Sequence, residues 1–166
     1  KNVFNLIPRS LGCLGRLKTL KFFANEINLF PSEFKNLVEL ECLQLKVSLP
    51  GLTGLRLHKL KALKELELCK VPPRPSAFPI LNEIAGLKCL TKLSVCHFSI
   101  RHLPPEIGCL NNLEYLDLSF NKLRSLPSEI TYLNALISLI LTNNKLVELP
   151  SVLSSLQRLE NLDLSN

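Results

Sequence analysis

The chain has 166 residues, 46% of them apolar, with no Trp and no Met. No apolar run approaches the ~20 residues that a membrane-spanning helix needs, so membrane insertion is not expected. The net charge of +6 is uneven: residues 1–74 carry 13 Lys/Arg against 6 Asp/Glu, and residues 75–166 carry 7 against 8. Most of this basic charge is expected to solvate loops and the convex side; the sharper alternative is an acidic partner for the N-terminal half.

One unit organises the chain. In Leu113-Glu-Tyr-Leu-Asp-Leu-Ser-Phe-Asn121, the leucines at 113, 116 and 118 alternate with polar residues before an Asn. Leu123, Leu126, Pro127, Ile130 and Leu133 complete the unit. Taking the first Leu of each copy as origin, copies begin at Leu17, Leu40, Leu63, Leu90, Leu113, Leu136 and Leu159. The spacing is 23 residues everywhere except Leu63 to Leu90, where it is 27. Before Leu17, the piece Asn2, Phe4, Ile7, Pro8, Leu11, Leu14 matches the back half of a unit; after Leu159, Leu162 and Leu164 match a front half. Residues 1–166 read as a single domain with partial repeats at both ends. The expectation is a piece of a longer array whose open ends can pair with a second copy through exposed ladders.

Each copy changes period partway. The LxxLxL part alternates as a short strand does. Seven such strands would stack in parallel about 4.8 Å apart. The following Asn suits a tight turn, where its side chain bonds nearby backbone. Asn2, Asn25, Asn121 and Asn144 hold that position; Ser48, Val71 and Phe98 replace it. The back half opens with Pro8, Pro31, Pro104, Pro127 or Pro150, and three copies continue as Pro-Ser/Pro-Glu-Phe/Ile. Pro in a first turn costs no hydrogen bond, and Glu suits the positive end, so a short helix or 3-10 segment is predicted there.

The copies between residues 48 and 80 are irregular. Leu49 to Leu57 has Thr53 and Gly54 where Leu-Pro is expected, and Val71 to Pro79 carries the four extra residues. Four prolines in nine residues exclude a regular helix and predict a stiff projecting loop.

The six cysteines, at 13, 42, 69, 89, 96 and 109, form no CxxC and no cluster at either end. With this placement and no Asn-x-Ser/Thr sequon, a reducing, cytoplasmic setting is expected. Cys69 and Cys96 share one column of adjacent strands, close enough to bridge or to bind a metal with His97. Structural zinc wants four ligands, so two free thiols and no metal are expected.

In register, these motifs resemble the leucine-rich repeat superfamily over essentially the whole chain. The form Leu-Pro-Ser-Glu-Ile from Leu126 to Ile130 is similar to the Ras-group intracellular repeats, including plant intracellular Ras-group-related proteins and Scribble-like scaffolds. It does not resemble the plant receptor-kinase type, which carries Leu-x-Gly-x-Ile-Pro. The resemblance implies an α/β solenoid, curved, with about seven short parallel strands on a concave side and short helices or 3-10 segments on the convex side. It implies protein–protein recognition through the concave face, as in a signalling scaffold. Arrays of this kind are also fused to plant protein kinases and occur in plant immune receptors, which are the alternative readings. No glycine-rich nucleotide loop or His-Arg-Asp catalytic loop occurs here, so no enzyme and no cofactor is expected of this segment.

Residues between the core leucines would face the concave side in three columns. The first runs Thr19, Cys42, Glu65, Lys92, Tyr115, Ser138, Asn161; the second Lys21, Gln44, Glu67, Ser94, Asp117, Ile140, Asp163; the third Phe23, Lys46, Cys69, Cys96, Ser119, Thr142, Ser165. Tyr115 and Ile140 are the expected centre of a protein-binding site, because aromatic and aliphatic residues anchor interfaces. Glu65, Glu67, Lys92 and Asp117 would surround it. His58, His97 and His102 lack a nucleophile partner at a defensible spacing. The basic half lacks interleaved aromatics, so no nucleic acid is expected as partner.

Overall fold

A computed structural model of the chain describes residues 7–23, 31–46, 55–69, 83–148 and 151–166. The Pro-rich stretch 71–79, residues Thr53 and Gly54, and Asn2, Asn25, Ser48, Val71 and Pro150 lie outside them.

Seven strands form one open parallel sheet in sequence order. They are β1 (Thr19–Phe23), β2 (Cys42–Lys46), β3 (Glu65–Cys69), β4 (Lys92–Cys96), β5 (Tyr115–Asp117), β6 (Ser138–Ile140) and β7 (Asn161–Asp163). Each repeat is therefore one rung, and the expected leucine-rich-repeat solenoid architecture is what the chain adopts. The register is the one the leucine spacing predicts: Leu20, Leu43, Leu66, Leu93, Leu116, Leu139 and Leu162 are successive partners. The 27-residue spacing does not disturb it, since Glu65 still pairs with Lys92 and Cys69 with Cys96. A longer connection between in-register strands costs little loop-closure entropy.

Residues 83–84 form a short piece of α-helix. Among the described residues, the other six back halves are 3-10 turns: Arg9–Cys13, Ser32–Asn36, Leu57–Lys59, Pro105–Cys109, Ser128–Tyr132 and Ser151–Ser155. The apolar residues explain why. Ile107, Leu110 and Leu113 recur every third residue, and a 3-10 helix places residues three apart on one face. The amides of these three donate in turn to the carbonyls of Pro104, Ile107 and Leu110 at 3.0–3.2 Å, and Phe34, Leu37 and Leu40 repeat the chain of bonds. Pro31, Pro104 and Pro127 sit one place earlier than a first turn, as extended residues that precede it. Their fixed φ delivers the carbonyl that the first turn uses.

Between sheet and turns lies a continuous leucine core. It includes Leu43, Leu66, Leu93, Leu116 and Leu139 from the strands and Phe34, Leu57, Ile107 and Ile130 from the turns, all essentially inaccessible. Full burial of each such side chain contributes about 1.5–3 kcal/mol before the entropy cost of ordering it.

Neighbouring turns stack on one another, and glycine sets how closely. A Cβ on Gly12 would overlap the Glu33 carbonyl oxygen and lie 2.7 Å from the Glu33 Cβ. A Cβ on Gly86 would meet nothing within 4 Å. Gly12→Ala is expected to destabilise the chain by about 1–3 kcal/mol through overpacking. Gly86→Ala should stabilise it by about 0.5 kcal/mol through loss of unfolded-chain entropy. Urea midpoints measured on the two variants check the opposite signs.

Candidate functional site

Strand alternation sends one set of side chains into the leucine core and the other to the sheet's open face. The predicted columns sit on that open face, as register partners. Glu65 faces Lys92, and Lys92 faces Tyr115. Glu67 faces Ser94, Ser94 faces Asp117, and Asp117 faces Ile140. All six predicted site residues thus fall on the four consecutive strands β3–β6. Tyr115 and Ile140 are not direct partners, because Tyr115 pairs with Ser138. They lie diagonally on adjacent strands.

The closest contact of the set is between Lys92 and Tyr115. The Lys92 Nζ lies 5.0 Å from the Tyr115 ring centroid, within range of a cation–π attraction. Burial pushes the Tyr115 phenol above its usual value, with smaller upward contributions from Asp117, Cys96 and Glu67. The phenol therefore stays neutral and available to donate a hydrogen bond throughout the physiological range. Asp117 accepts a 2.9 Å bond from the Ser119 amide through Oδ1, which holds its carboxylate in place. Asp163 repeats the arrangement two strands on, bonded by the amide and hydroxyl of Ser165, and these bonds lower its pKa.

Facing does not mean accessible. Ser94 and Ser119, both predicted to face solvent, are only 7% exposed. Ser94 is a small residue flanked in register by Glu67 and Asp117, whose longer side chains overshadow it. The Cys96 Sγ lies 3.4 Å from the Ser94 Oγ and 3.3 Å from the Ser119 Oγ. Burial raises the Cys96 thiol pKa, and the two hydroxyls oppose that shift. A further correction concerns the third column. Phe23, Lys46, Cys69 and Cys96 end their strands, but Ser119, Thr142 and Ser165 lie beyond the three-residue strands β5–β7. In those repeats the ladder continues only as single bonds, such as Phe120 N–H to the Thr142 carbonyl at 2.9 Å.

The turns after β4–β7 hold a feature the alternation did not reveal. His97, Phe120, Asn143 and Asn166 occupy equivalent positions and all have φ near +60°. Asn and His are enriched in that conformation; Phe adopts it at a cost. The His97 and Phe120 rings stack with centroids 4.6 Å apart, and Phe120 is 47% exposed. The recurrence of Asn at 143 and 166 was the one available signal that this position bends backward. His97 is therefore committed to a ring stack at the rim. Among the described residues, no group of three or more His, Cys, Asp or Glu could hold a metal ion. Among them, too, no helix is long and apolar enough to cross a membrane.

Comparison with known proteins agrees with this geometry. No curated protein matches the chain. Among solved structures it is similar to a leucine-rich-repeat protein of Leptospira interrogans, at 28% identity and a TM-score of 0.69 over 97% of this chain and 48% of that one. It is similar to internalin C2 of Listeria monocytogenes, at 22% identity and a TM-score of 0.72 over 96% of this chain and 69% of that one. It is also similar to the plant peptide hormone receptor RGFR1, solved in complex with RGF2, at 22% identity and a TM-score of 0.68 over 97% of this chain and 30% of that one. The chain thus spans about half of the Leptospira protein and under a third of the receptor. Residues 80–166, slightly more than half of the sequence, match the family described as leucine-rich repeat region. With that match, seven rungs in register and a core of stacked leucines, the chain belongs to the leucine-rich repeat family.

Proposed function

We propose that the chain is a protein-recognition module, part of a signalling scaffold, which binds a segment of a partner protein across the open face of β3–β6. Tyr115 and Ile140 form the apolar centre, and Glu65, Glu67, Lys92 and Asp117 form the charged surround. The observation that carries the reading is the Lys92–Tyr115 contact. It holds an aromatic ring and an ammonium in a fixed arrangement on a rigid sheet, so little side-chain entropy remains to be lost on binding. Leucine-rich repeat domains generally act in protein recognition, and the similar plant receptor was solved with RGF2 in complex. The scattered cysteines, with no cluster at either end, and the Leu-Pro-Ser-Glu-Ile form support an intracellular, Ras-group type of array.

Substituting Tyr115→Ala together with Asp117→Ala tests the site. Neither side chain belongs to the leucine core, so the fold should persist by circular dichroism. Loss of a central aromatic anchor and its charged neighbour should weaken partner capture by tenfold or more. An unchanged set of captured proteins, in unchanged amounts, would sink the assignment.

A further inference from the structure

The segments that follow β4, β5 and β6, residues 97–101, 120–124 and 143–147, lie side by side. The Lys122 amide donates to the Ile100 carbonyl and the Lys145 amide to the Leu123 carbonyl, both at 2.8 Å. Equivalent residues of these segments are thus one rung, about 4.8 Å, apart. Phe98, Ile100, Asn121 and Leu123 are buried, and the residues that alternate with them reach the surface. Four of those surface positions are cationic: Arg101, Lys122, Arg124 and Lys145. Arg124 sits one rung from Arg101 and Lys145 one rung from Lys122, and like charges placed opposite each other repel. Among the described residues, none of the four is ion-paired, since the one ion pair joins Lys64 to Glu41. Glu148 is the single carboxylate in residues 97–102, 120–125 and 143–148. Two large apolar residues share this flank, Phe120 at 47% exposure and Val147 at 84%. Phe120 holds a positive φ where the equivalent residues of the next two rungs are Asn143 and Asn166. Its ring nevertheless stays at the surface, stacked within 13° of parallel on His97. Unpaired like charge and a strained, exposed aromatic, gathered on one surface, point to an interface.

We propose that this flank is a second protein-docking surface, whose partner is a short acidic segment carrying apolar side chains. Carboxylates of that segment meet Arg101, Lys122, Arg124 and Lys145 and relieve their mutual repulsion. One apolar side chain of the segment packs on the Phe120 ring and another on Val147. The stack on His97 sets the ring in place beforehand, so little freedom is lost on binding. Opposite charge steers the encounter and makes the association salt-sensitive. A nucleic acid fits less well. Its phosphates need a basic groove that tracks a long backbone, whereas this basic row ends at Val147 and Glu148. The neighbouring open face carries Glu67, Asp117 and Asp163, which repel an extended polyanion. The surface is independent of what binds at Tyr115.

The test follows the fluorescence polarisation of a labelled peptide, rich in Asp and carrying one Phe and one Leu, titrated with the 166-residue chain. The expected result is saturable binding that weakens severalfold from low to physiological salt, and severalfold again when Asn replaces each Asp of the peptide. Phe120→Asn removes the ring and installs the residue type of the equivalent Asn143 and Asn166, so the turn should persist. Lys122→Gln with Lys145→Gln removes two of the cations. Each of these two variants should bind severalfold more weakly while its circular dichroism stays native. Lys18→Gln with Lys21→Gln removes the same charge at the first rung and should leave the affinity unchanged. The proposal is overturned if the peptide does not bind, or if Phe120→Asn leaves its affinity untouched. It is equally overturned if the Lys18 and Lys21 variant weakens binding as much as the Lys122 and Lys145 variant. A single-stranded oligonucleotide that binds more tightly than the peptide, and is weakened by the same substitutions, would overturn it in favour of a nucleic-acid site.

Discussion

Asn121→Ala is expected to destabilise the chain by about 3–5 kcal/mol, against about 2 kcal/mol for Asn144→Ala. Asn121 is 6% exposed, yet its amide has a backbone partner at every position. Its Nδ2 donates to the carbonyls of Val95 at 2.8 Å, Leu118 at 2.9 Å and Ser119 at 3.3 Å. Its Oδ1 accepts from the amides of Phe98 at 3.0 Å and Ile100 at 3.2 Å. The reason for this load is local. Both asparagines reach back to the preceding repeat, but the repeat before Asn121 has Phe98 where an Asn is expected, and Asn121 also takes the amide of Phe98. Asn144 does less: its Oδ1 takes only the Leu123 amide, and its Nδ2 serves Leu118 and Leu141, with a longer contact to Thr142. Each buried backbone group left without a partner costs about 1–3 kcal/mol, reduced where water can enter the space. Against a total of roughly 5–15 kcal/mol for a domain, the Asn121 loss is large. Equal urea midpoints for the two variants would refute this division of labour.

Asn121→Asp sharpens the same prediction. The new carboxyl keeps an acceptor for the Phe98 and Ile100 amides but points its other oxygen at the Val95 and Leu118 carbonyls. Burial and those carbonyls disfavour its charged form, so its folded pKa rises above the unfolded value of about 3.9. A raised folded pKa means that the neutral form is the one tolerated. The variant is then closest to the wild type below pH 4 and loses stability as pH rises through the folded pKa. Urea melts of variant and wild type at pH 4 and pH 7 should show the gap widening at the higher pH.

Much of the fold was legible because the repeat carries its information twice, in spacing and in residue type. A 23-residue interval fixes which leucines become partners, and the structure pairs Leu93 with Leu116 and Leu116 with Leu139 accordingly. Strand alternation likewise put Glu65, Glu67, Lys92, Tyr115, Asp117 and Ile140 on one face. What alternation cannot convey is depth. Ser94 and Ser119 share that face but are nearly covered, because exposure depends on the size of the flanking side chains rather than on direction. The backward bend shared by His97 and Phe120 was equally hidden, since Phe does not suggest positive φ. Their ring stack joins residues 23 apart through a turn, where the period-two rule has already ended.

Leu116→Ala is expected to cost about 3–4 kcal/mol, and Leu162→Ala less than about 1 kcal/mol, although the two occupy the same place in their repeats. Leu116 is inaccessible and lies in the middle of the ladder, flanked by Leu93 and Leu139. Leu162 is 42% exposed in β7, an outer strand of the sheet, and pairs with Leu139 alone. The transfer and cavity terms of a buried Leu→Ala change together run to about 2–5 kcal/mol, and partial exposure removes most of both. The difference has a second consequence. In a solenoid each rung is stabilised by its neighbours, so a weak central interface uncouples the two sides. Leu116→Ala should therefore broaden the urea transition and lower its apparent m-value, because β1–β4 and β6–β7 then lose structure at different urea concentrations. Leu162→Ala should leave the slope unchanged, since it only frays a rung that already has one neighbour. If both variants shift the curve in parallel by similar amounts, the rungs are held by something other than nearest-neighbour leucine packing.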